Sequence, residues 1–452
     1  MEYIINTIKE YHKTYNFCNL SKSIDKFLIP HENEKKLNAE ISTPISLRHE
    51  MINKIPIEFW TTPKKVFEPC SGKGGFLIDI VSKFMDGLKD YITDEQERYK
   101  LIVEECLYYS DINKQNIFIA NLLLDPYKKY KLNANEGDTL KLDIKEKWGL
   151  EGFDLVIGNP PYNEVLKQSG GKPLYNVFIE YLLPYTKLLS FVIPSRWFSG
   201  GKGLDKFREK MLKRKDIIYI NHIDDANKIF GNIVDIKGGI NYFLIDKSYN
   251  GLCNYNGDLL NLNEYDIIIE NKYKSIIEKI DKYEKITKLY KGRYYGIECN
   301  DKRLLDKENE NTLKCYVSQQ KGFIKYIDKN ELKKDYKTYK IITTRASYKG
   351  KSGFGNIFIG YPNEIHSSSY ISFNVNNEIE AKSLLSYLKC KLPNLLLSLR
   401  KISQDINEHT LKWVPLVPLD REWTNEEIYK YLNLNEKEIN LIKDTNIIGY
   451  KL

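Results

Sequence analysis

The tetrapeptide Asn159-Pro160-Pro161-Tyr162 is the part of the sequence whose residue types most clearly suggest a chemistry. An exocyclic amine on adenine is a poor nucleophile because its lone pair is delocalised into the ring. The Asn159 side-chain oxygen and the Pro160 carbonyl could accept the two amino hydrogens and localise that lone pair. The prolines fix φ and add no competing N–H, while Tyr162 could stack on the planar substrate. Alternatively, Asn-Pro-Pro simply ends a strand.

A glycine-containing loop, Cys70 to Phe76, lies between a predicted strand and a predicted helix. Glycines at such a place let the backbone approach a ligand at a helix N-terminus. The spacing is not GxGxxG, and Glu68 precedes the loop. That carboxylate would repel a pyrophosphate but tolerate a cationic, phosphate-free nucleoside such as S-adenosylmethionine. The alternative is a tight strand-to-helix turn without a ligand.

Two aspartates follow further predicted strands. Asp111 ends the second strand, where a carboxylate can accept hydrogen bonds from ribose hydroxyls. It could instead cap the helix predicted from Ile112. Asp138 follows a third predicted strand and could accept from an adenine amino group, although a plain turn aspartate explains it equally well.

The elements that must position these residues lie between Val66 and Ile245, where short apolar runs alternate with helical stretches. This alternation predicts a mostly parallel sheet with crossover helices. The predicted strands are 65–68, 105–110, 130–135, 153–158 and 188–193, and the predicted helices are 77–84, 112–124 and 175–183. We expect 217–223 and 239–245 to form an antiparallel edge, and 248–263 to be a linker to a more basic second half.

With these motifs in this order, the sequence resembles adenine-N6 DNA methyltransferases of the γ arrangement, the modification methylases of type II restriction systems. Residues 38–247 carry the resemblance, including Thr43-Pro44, which is similar to a family segment that holds the methionine carboxylate of the cofactor. The resemblance implies a Rossmann-like α/β S-adenosylmethionine-dependent methyltransferase domain over 1–250. It also implies a C-terminal mixed α/β target-recognition domain over 251–452.

The same resemblance implies roles for individual residues. The catalytic set is Asn159, Pro160, Pro161 and Tyr162. The cofactor-binding set is Thr43, Pro44, Glu68, Pro69, Cys70, Gly72, Gly74, Phe76, Asp111, Ile112, Asp138, Thr139, Asn159 and Phe178. Pro194 to Trp197, followed by Gly200-Gly201, matches the stretch after the fifth strand, and Tyr242 and Phe243 compete as a second aromatic beside a flipped base.

The formal net charge of +8 is concentrated in one region. Residues 321–360 carry three acidic side chains and ten basic ones, which are Lys321, Lys325, Lys329, Lys333, Lys334, Lys337, Lys340, Arg345, Lys349 and Lys351. Such a stretch can track phosphates, with Lys333, Lys334 and Lys337 as candidate DNA contacts. A solvated lysine-rich face is the alternative.

We therefore expect a site-specific enzyme that methylates adenine N6 in double-stranded DNA by base flipping, using S-adenosylmethionine and no metal. A separately encoded cognate restriction endonuclease is a further partner that the resemblance allows. The alternatives are methylation of RNA or of a protein glutamine, a DNA-binding methylase fold without activity, and a nuclease fused through Glu270-Asn271-Lys272. The absence of a membrane-length apolar run or a CxxC pair predicts a cytoplasmic protein.

Overall fold

The structure is a computed structural model that describes residues 2–29, 41–164, 171–198, 203–231, 236, 238–318, 323–346, 352–401 and 404–450. The chain divides into two compact units, Met1–Asp266 and Ile267–Leu452. Within the described ranges, no helix has the length and apolar character needed to cross a membrane.

The first unit contains a sheet in which nine strands are described. They are β1 Val66–Glu68, β2 Leu107–Asp111, β3 Asn133–Glu136, β4 Phe153–Gly158, β5 Thr186–Pro194, β6 Ile217–Ile223, β7 Ile240–Asp246, β8 Cys253–Tyr255 and β9 Asp258–Leu260. Their order is β3-β2-β1-β4-β5-β7-β6-β8-β9, and β1 to β5 are parallel. The predicted α/β fold with a mostly parallel sheet is therefore confirmed.

The strand order places a topological switch point between β1 and β4. From β1 the chain moves outward to β2 and β3 and then returns to the other side of β1 as β4. In open α/β sheets, ligands bind in the crevice outside the carboxyl ends of strands at such a point. The glycine loop after β1 and the Asn-Pro-Pro-Tyr segment after β4 therefore meet there.

Helices pack against this sheet. Because they bury its strands, those strands are rich in apolar residues. The described helices of the first unit are α1 Glu2–Lys13, α2 Phe17–Ile24, α3 Ile45–Asn53, α4 Gly75–Gly87, α5 Glu95–Leu101, α6 Lys114–Leu124, α7 Ile144–Trp148, α8 Tyr175–Leu182, α9 Asp205–Leu212 and α10 Asn227–Phe230. Only α4, α6 and α8 correspond to helices predicted from the sequence, and the unpredicted ones include α1 and α2. These two join the main core through Ile8, Phe17 and Leu20, and the Phe17 ring stacks on Tyr99 with centroids 4.9 Å apart.

Two predictions for the far side of the sheet need correction. Strands β6 and β7 form an antiparallel pair as predicted, but the pair is not an edge, because β6 also pairs with β8. Residues 248–263 are not a linker, because they contain the β8–β9 hairpin, and β8 pairs with β6. Asn256 and Gly257 turn this hairpin with φ of 50° and 102°, which is the geometry that favours an Asn-Gly pair.

The second unit is mixed α/β, and seven strands of it are described, in two small sheets. The sheets have the orders β10-β16-β13-β14 and β12-β11-β15. The strands are β10 Tyr290–Gly292, β11 Thr312–Tyr316, β12 Ile324–Asp328, β13 Tyr339–Thr344, β14 Ile357–Gly360, β15 Glu364–His366 and β16 Tyr370–Val375. The helices are α11 Lys274–Asp281, α12 Glu378–Lys389, α13 Lys391–Arg400, α14 Glu408–Leu411, α15 Asn425–Tyr431 and α16 Glu436–Asp444.

Candidate functional site

A cavity of about 420 Å³ opens at the carboxyl ends of β1, β2 and β4, and its volume suits a small-molecule ligand. The predicted site residues that line it are Thr43, Glu68, Pro69, Cys70, Gly72, Phe76, Asp111, Ile112, Asp138, Thr139, Asn159, Pro160, Pro161 and Phe178. The structure thus brings together residues from six separate segments of the sequence.

Neighbouring strands hold the glycine loop in place. The Gly72 backbone N–H donates to the Asp111 carboxylate at 2.8 Å, and the Ser71 N–H donates to the Ser110 carbonyl at 2.9 Å. The Thr139 hydroxyl donates to the Pro69 carbonyl at 2.6 Å. Gly72 has a φ of 51°, a left-handed conformation that glycine adopts more readily than residues with a Cβ. The loop backbone is therefore presented to the cavity in one fixed shape.

Asp111 is buried at the cavity, and both its oxygens are hydrogen-bonded. Besides Gly72, it accepts from the Asn113 N–H at 2.8 Å and from the Asn116 amide at 3.2 Å. The N-cap of helix α6 is Asn113 rather than Asp111, so the helix-cap alternative for Asp111 is wrong. Burial raises the pKa of Asp111, while these hydrogen bonds oppose the rise. Since each carboxylate oxygen can accept two bonds, capacity remains for a ligand hydroxyl.

Asp138 is both a turn residue and a cavity residue. Its carboxylate caps the short helical turn Thr139–Lys141 by accepting from the Leu140 N–H at 3.0 Å. The other carboxylate oxygen lies 3.6 Å from the exposed Lys141 ammonium. The two interpretations of this aspartate are therefore compatible.

Glu68 is a buried carboxylate at the end of β1. One of its oxygens has no hydrogen-bond partner within the described part of the chain. Burial raises the pKa of Glu68 well above its usual range, Arg48 opposes the rise, and Asp111 and Asp79 add to it. Burial likewise raises the pKa of the neighbouring Cys70 thiol. The Glu68 carboxyl thus has an unused acceptor at the cavity, where a cation would favour its ionised form.

Asn159 follows β4 directly beside Glu68. A Cβ built on Gly158 would lie 3.4 Å from the Glu68 Cγ, which shows how closely the two strand ends approach. The Asn159 amide nitrogen donates to the Ile41 carbonyl at 3.2 Å. This hydrogen bond orients the amide, and its side-chain oxygen is buried with no partner in the described residues. The arrangement leaves one acceptor at the cavity with Pro160 next to it.

Several predicted residues do not line this cavity. Pro44 is the N-cap of α3, and Gly74 turns the chain into α4 with a φ of 90°. Tyr162 is buried; burial raises its pKa, and a side-chain hydrogen bond with Asn159 opposes that rise. Tyr242 and Phe243 are enclosed in the middle strand β7, where the Tyr242 hydroxyl donates to Glu50. Both rings are covered by neighbouring strands and helices in this structure, and their role beside a flipped base stays a prediction. Gly200 and Gly201 lie outside the described residues.

Two charged residues that line the cavity, Arg48 and Lys73, were not among the predicted site residues. The buried Arg48 guanidinium donates to Asp79 at 2.6 Å, to Asp25 at 2.9 Å and to the Thr43 carbonyl at 2.6 Å. It thereby links α2, the Thr-Pro segment and α4. Lys73 was visible in the glycine loop, but nothing in the local sequence distinguishes Arg48 from a solvent-exposed arginine.

In the second unit, the structure separates the basic residues of 321–360. Lys333, Lys334 and Lys337 are exposed. Lys340 is buried and donates to the Glu364 carbonyl at 2.8 Å, and burial lowers its pKa to about 8. Arg345 pairs with Asp405 at 3.1 Å, and Lys325 pairs with Asp306. Lys321, Lys349 and Lys351 lie outside the described residues.

Comparison with known proteins identifies relatives of this chain. Residues 91–230 match the Eco57I restriction-modification methylase family. A Mycoplasma pneumoniae protein described as an "uncharacterized adenine-specific methylase" is 25% identical over 293 residues, which cover 47% of this chain and 68% of that protein. These matches confirm the resemblance to adenine methylases of restriction-modification systems that the motifs predicted.

Solved structures share the fold. The Type IIL restriction-modification enzyme MmeI, solved in complex with DNA, has a TM-score of 0.51 at 12% identity, over 88% of this chain and 70% of that chain. A nuclease-deletion mutant of the Type ISP enzyme LlaGI, solved with a DNA substrate mimic, has a TM-score of 0.55 at 12% identity, over 83% and 45%. Two proteins of type I restriction-modification systems also match, and this chain spans 56% of the length of each.

Proposed function

From the match of residues 91–230 to the Eco57I restriction-modification methylases, we propose that this chain transfers a methyl group from S-adenosylmethionine to adenine N6 at a specific sequence of double-stranded DNA. The first unit is the catalytic domain and the second recognises the DNA. The enzyme is the modification component of a restriction-modification system.

The polar groups of the cavity fit S-adenosylmethionine. The unpartnered Glu68 oxygen is an acceptor for a cationic ligand, and Asp111 and Asp138 offer further acceptors for ribose and adenine. Ile112 and Phe178 add apolar surface to the same cavity. When bound, this cofactor supplies an electrophilic methyl group on a sulfonium.

The observation that carries the proposal is the buried Asn159 side-chain oxygen without a partner. A buried acceptor left unpaired costs roughly 1–3 kcal/mol, so its retention at a cavity points to a donor that arrives with the substrate. An adenine amino group has two such donors, one for Asn159 and one for the Pro160 carbonyl. Both acceptors are preorganised, the first by its bond to Ile41 and the second by the ring of Pro161.

The second unit is the reason that we propose DNA, rather than RNA or protein, as the substrate. Its exposed Lys333, Lys334 and Lys337 provide positive charge in a unit apart from the cavity. A duplex substrate needs such a surface because its sequence must be read while one base is extracted. The fold shared with MmeI, which was solved on DNA, is consistent with this choice.

The test is methylation by the full chain with labelled S-adenosylmethionine. Unmethylated plasmid, total RNA and total soluble protein serve as parallel substrates, and mass spectrometry of the digested nucleosides identifies the product. We expect N6-methyladenine in the plasmid alone. Asn159→Ala should lower turnover by about two orders of magnitude or more, as for one lost preorganised contact, with little change in cofactor affinity.

A matched control is Asn374→Ala in the second unit. The Asn374 amide also donates a single hydrogen bond, at 3.1 Å to Thr338, and its oxygen also has no partner in the described residues. This variant should keep normal turnover. Methylated RNA or methylated glutamine, with unmodified plasmid, would instead establish one of the alternative substrates.

A further inference from the structure

Tyr175, at the start of α8, has a buried polar group that the proposed chemistry does not use. Its side chain is 2% exposed, and its hydroxyl has no hydrogen-bond partner among the described residues. The Trp197 indole nitrogen, fully buried in the turn after β5, is likewise without one. Buried polar groups are normally paired, so each such exception needs an explanation.

Both residues lie near the Asn159 end of the sheet. Strands β4 and β5 are parallel neighbours, with Gly158 opposite Phe191, so the segments that follow them emerge at the same edge. The Leu174 N–H donates to the Tyr162 carbonyl at 3.1 Å, which brings the start of α8 back to the tetrapeptide. Leu174 also lines the cavity.

Arg196 adds a positive charge to this edge. It follows β5, is half-buried, and forms no hydrogen bond or salt bridge with any residue that the structure describes. Burial raises the pKa of Tyr175, and the charge of Arg196 opposes that rise. The Phe207 ring contacts both aromatic residues. Its centroid lies 6.3 Å from that of the Tyr175 ring and 5.9 Å from that of the Trp197 ring.

These groups match the chemistry of a nucleotide. A half-buried guanidinium without a carboxylate partner suits a phosphate, which it can bind through two parallel N–H donors. A tyrosine hydroxyl can donate to or accept from the polar edge of a sugar or base. A nucleotide extruded from a duplex presents both kinds of group together, whereas a glutamine side chain presents no phosphate.

We propose that Tyr175 and Arg196 form an acceptor-nucleotide subsite beside Asn159. Arg196 binds a phosphate that flanks the target adenine, and the Tyr175 hydroxyl forms a hydrogen bond with the extruded nucleotide. This inference rests on the proposed function, because it assigns residues to the nucleotide that the enzyme methylates.

The first test is Tyr175→Phe in the full chain. Removing a hydroxyl that has no protein partner leaves the packing intact, so the unfolding temperature should be unchanged or higher. Cofactor affinity, measured by calorimetry, should also be unchanged. The kcat/KM for methylation of duplex DNA should fall about tenfold, the change expected for one lost hydrogen bond.

A matched control is Tyr295→Phe in the second unit. The Tyr295 hydroxyl is also buried without a hydrogen-bond partner in the described residues, and it belongs to a different unit from Asn159. This variant should methylate DNA like the wild type. Equal losses in the two variants would show that buried hydroxyls act through stability, and the subsite would be overturned.

The second test concerns the phosphate. Arg196→Gln should reduce the log–log salt slope of duplex DNA binding by about one unit, whereas Arg196→Lys should keep the slope because it keeps the charge. Arg196→Lys should still lose turnover, because an ammonium cannot form the two parallel N–H contacts.

The outcomes distinguish this inference from the proposed function. The subsite alone is overturned if the wild type methylates DNA, Tyr175→Phe has a normal kcat/KM and Arg196→Gln has an unchanged salt slope. The Tyr175 hydroxyl would then be bonded to a buried water. Wild-type protein that methylates no DNA overturns both proposals.

Discussion

The Asp111 carboxylate accepts the Gly72 backbone N–H at 2.8 Å, so one side chain connects the end of β2 to the glycine loop. The same carboxylate also accepts the N–H of Asn113, at the start of α6. A change at Asp111 therefore alters the shape of the loop as well as the acceptor that faces the cavity.

Asp111→Asn should weaken both the fold and cofactor binding. An amide matches the carboxylate in size, but whichever way it turns, its NH₂ faces either the Gly72 or the Asn113 N–H. We expect losses of about 1–3 kcal/mol in the free energy of unfolding and in the free energy of S-adenosylmethionine binding. Urea unfolding and calorimetry measure the two quantities.

The control for Asp111 is Asn113→Ala, which removes the true N-cap of α6. It should cost about 1 kcal/mol of stability and leave cofactor affinity unchanged. Normal affinity in Asp111→Asn would show that this carboxylate is a loop anchor without a ligand role.

Glu68 should make cofactor binding depend on pH. Burial raises its pKa in the free protein, whereas a cationic ligand favours the ionised carboxylate. Affinity for S-adenosylmethionine should therefore increase as pH rises through that raised pKa, with release of a proton on binding. Calorimetry in two buffers of different ionisation enthalpy measures that proton, and Glu68→Gln should abolish both effects.

The same pKa shift determines how Glu68 affects stability. Because the folded-state pKa lies above the unfolded one, the contribution of Glu68 is fully present at low pH and is lost as pH rises through the folded pKa. The free energy of unfolding of the ligand-free wild type should therefore fall relative to Glu68→Gln as pH increases. An identical pH profile for the two proteins would contradict the assigned shift.

Tyr162 should contribute its ring rather than its hydroxyl. Stacking on the target base uses the face of the ring, which Phe retains, so Tyr162→Phe should keep its activity. Tyr162→Ala should lose about 1–3 kcal/mol of stacking free energy with the target base. It should therefore also lose methylation activity. The ring is covered in this structure, so stacking requires the surrounding side chains to move. With 2-aminopurine at the target position, fluorescence should rise on binding to wild type and to Tyr162→Phe, but not to Tyr162→Ala.

The exposed lysines of the second unit should contribute through counterion release. Replacing Lys333, Lys334 and Lys337 by Gln should weaken specific and non-specific DNA binding alike, and flatten the log–log salt dependence by about one unit per lost contact. Specificity should survive. Replacing the exposed Lys389, Lys430 and Lys437 provides a charge-matched control. The same slope in both triple variants would identify 333–337 as a solvated face.

The first unit should fold by itself when the chain ends at Asp266. This length keeps the β8–β9 hairpin, which covers the edge of β6 through Asn254 and Tyr255. We expect residues 1–266 to unfold cooperatively and bind S-adenosylmethionine without sequence-specific DNA binding. Residues 1–250 leave the edge of β6 exposed and should be less stable and prone to aggregate. Calorimetry and light scattering compare the two lengths.

The sequence by itself determined the parts of this protein whose signals are local. The apolar run 153–158 ends at Asn-Pro-Pro and is strand β4 as predicted, and the glycine loop lies between β1 and α4. The Asn-Gly pair at 256–257 was also a local hairpin signal, although the polar composition around it favoured a linker. Such features follow from backbone preferences of a few consecutive residues, so no distant contact is needed to predict them.

Only the tertiary structure decided which distant residues meet. Arg48 became a cavity residue because α2 and α4 bring Asp25 and Asp79 to it. Tyr242 and Phe243 are enclosed because β7 lies between β5 and β6. Asp111 bonds to Gly72 because β1 and β2 are parallel neighbours. These contacts depend on strand order and on close packing between segments far apart in the chain, and the periodicity of one segment contains no information about either.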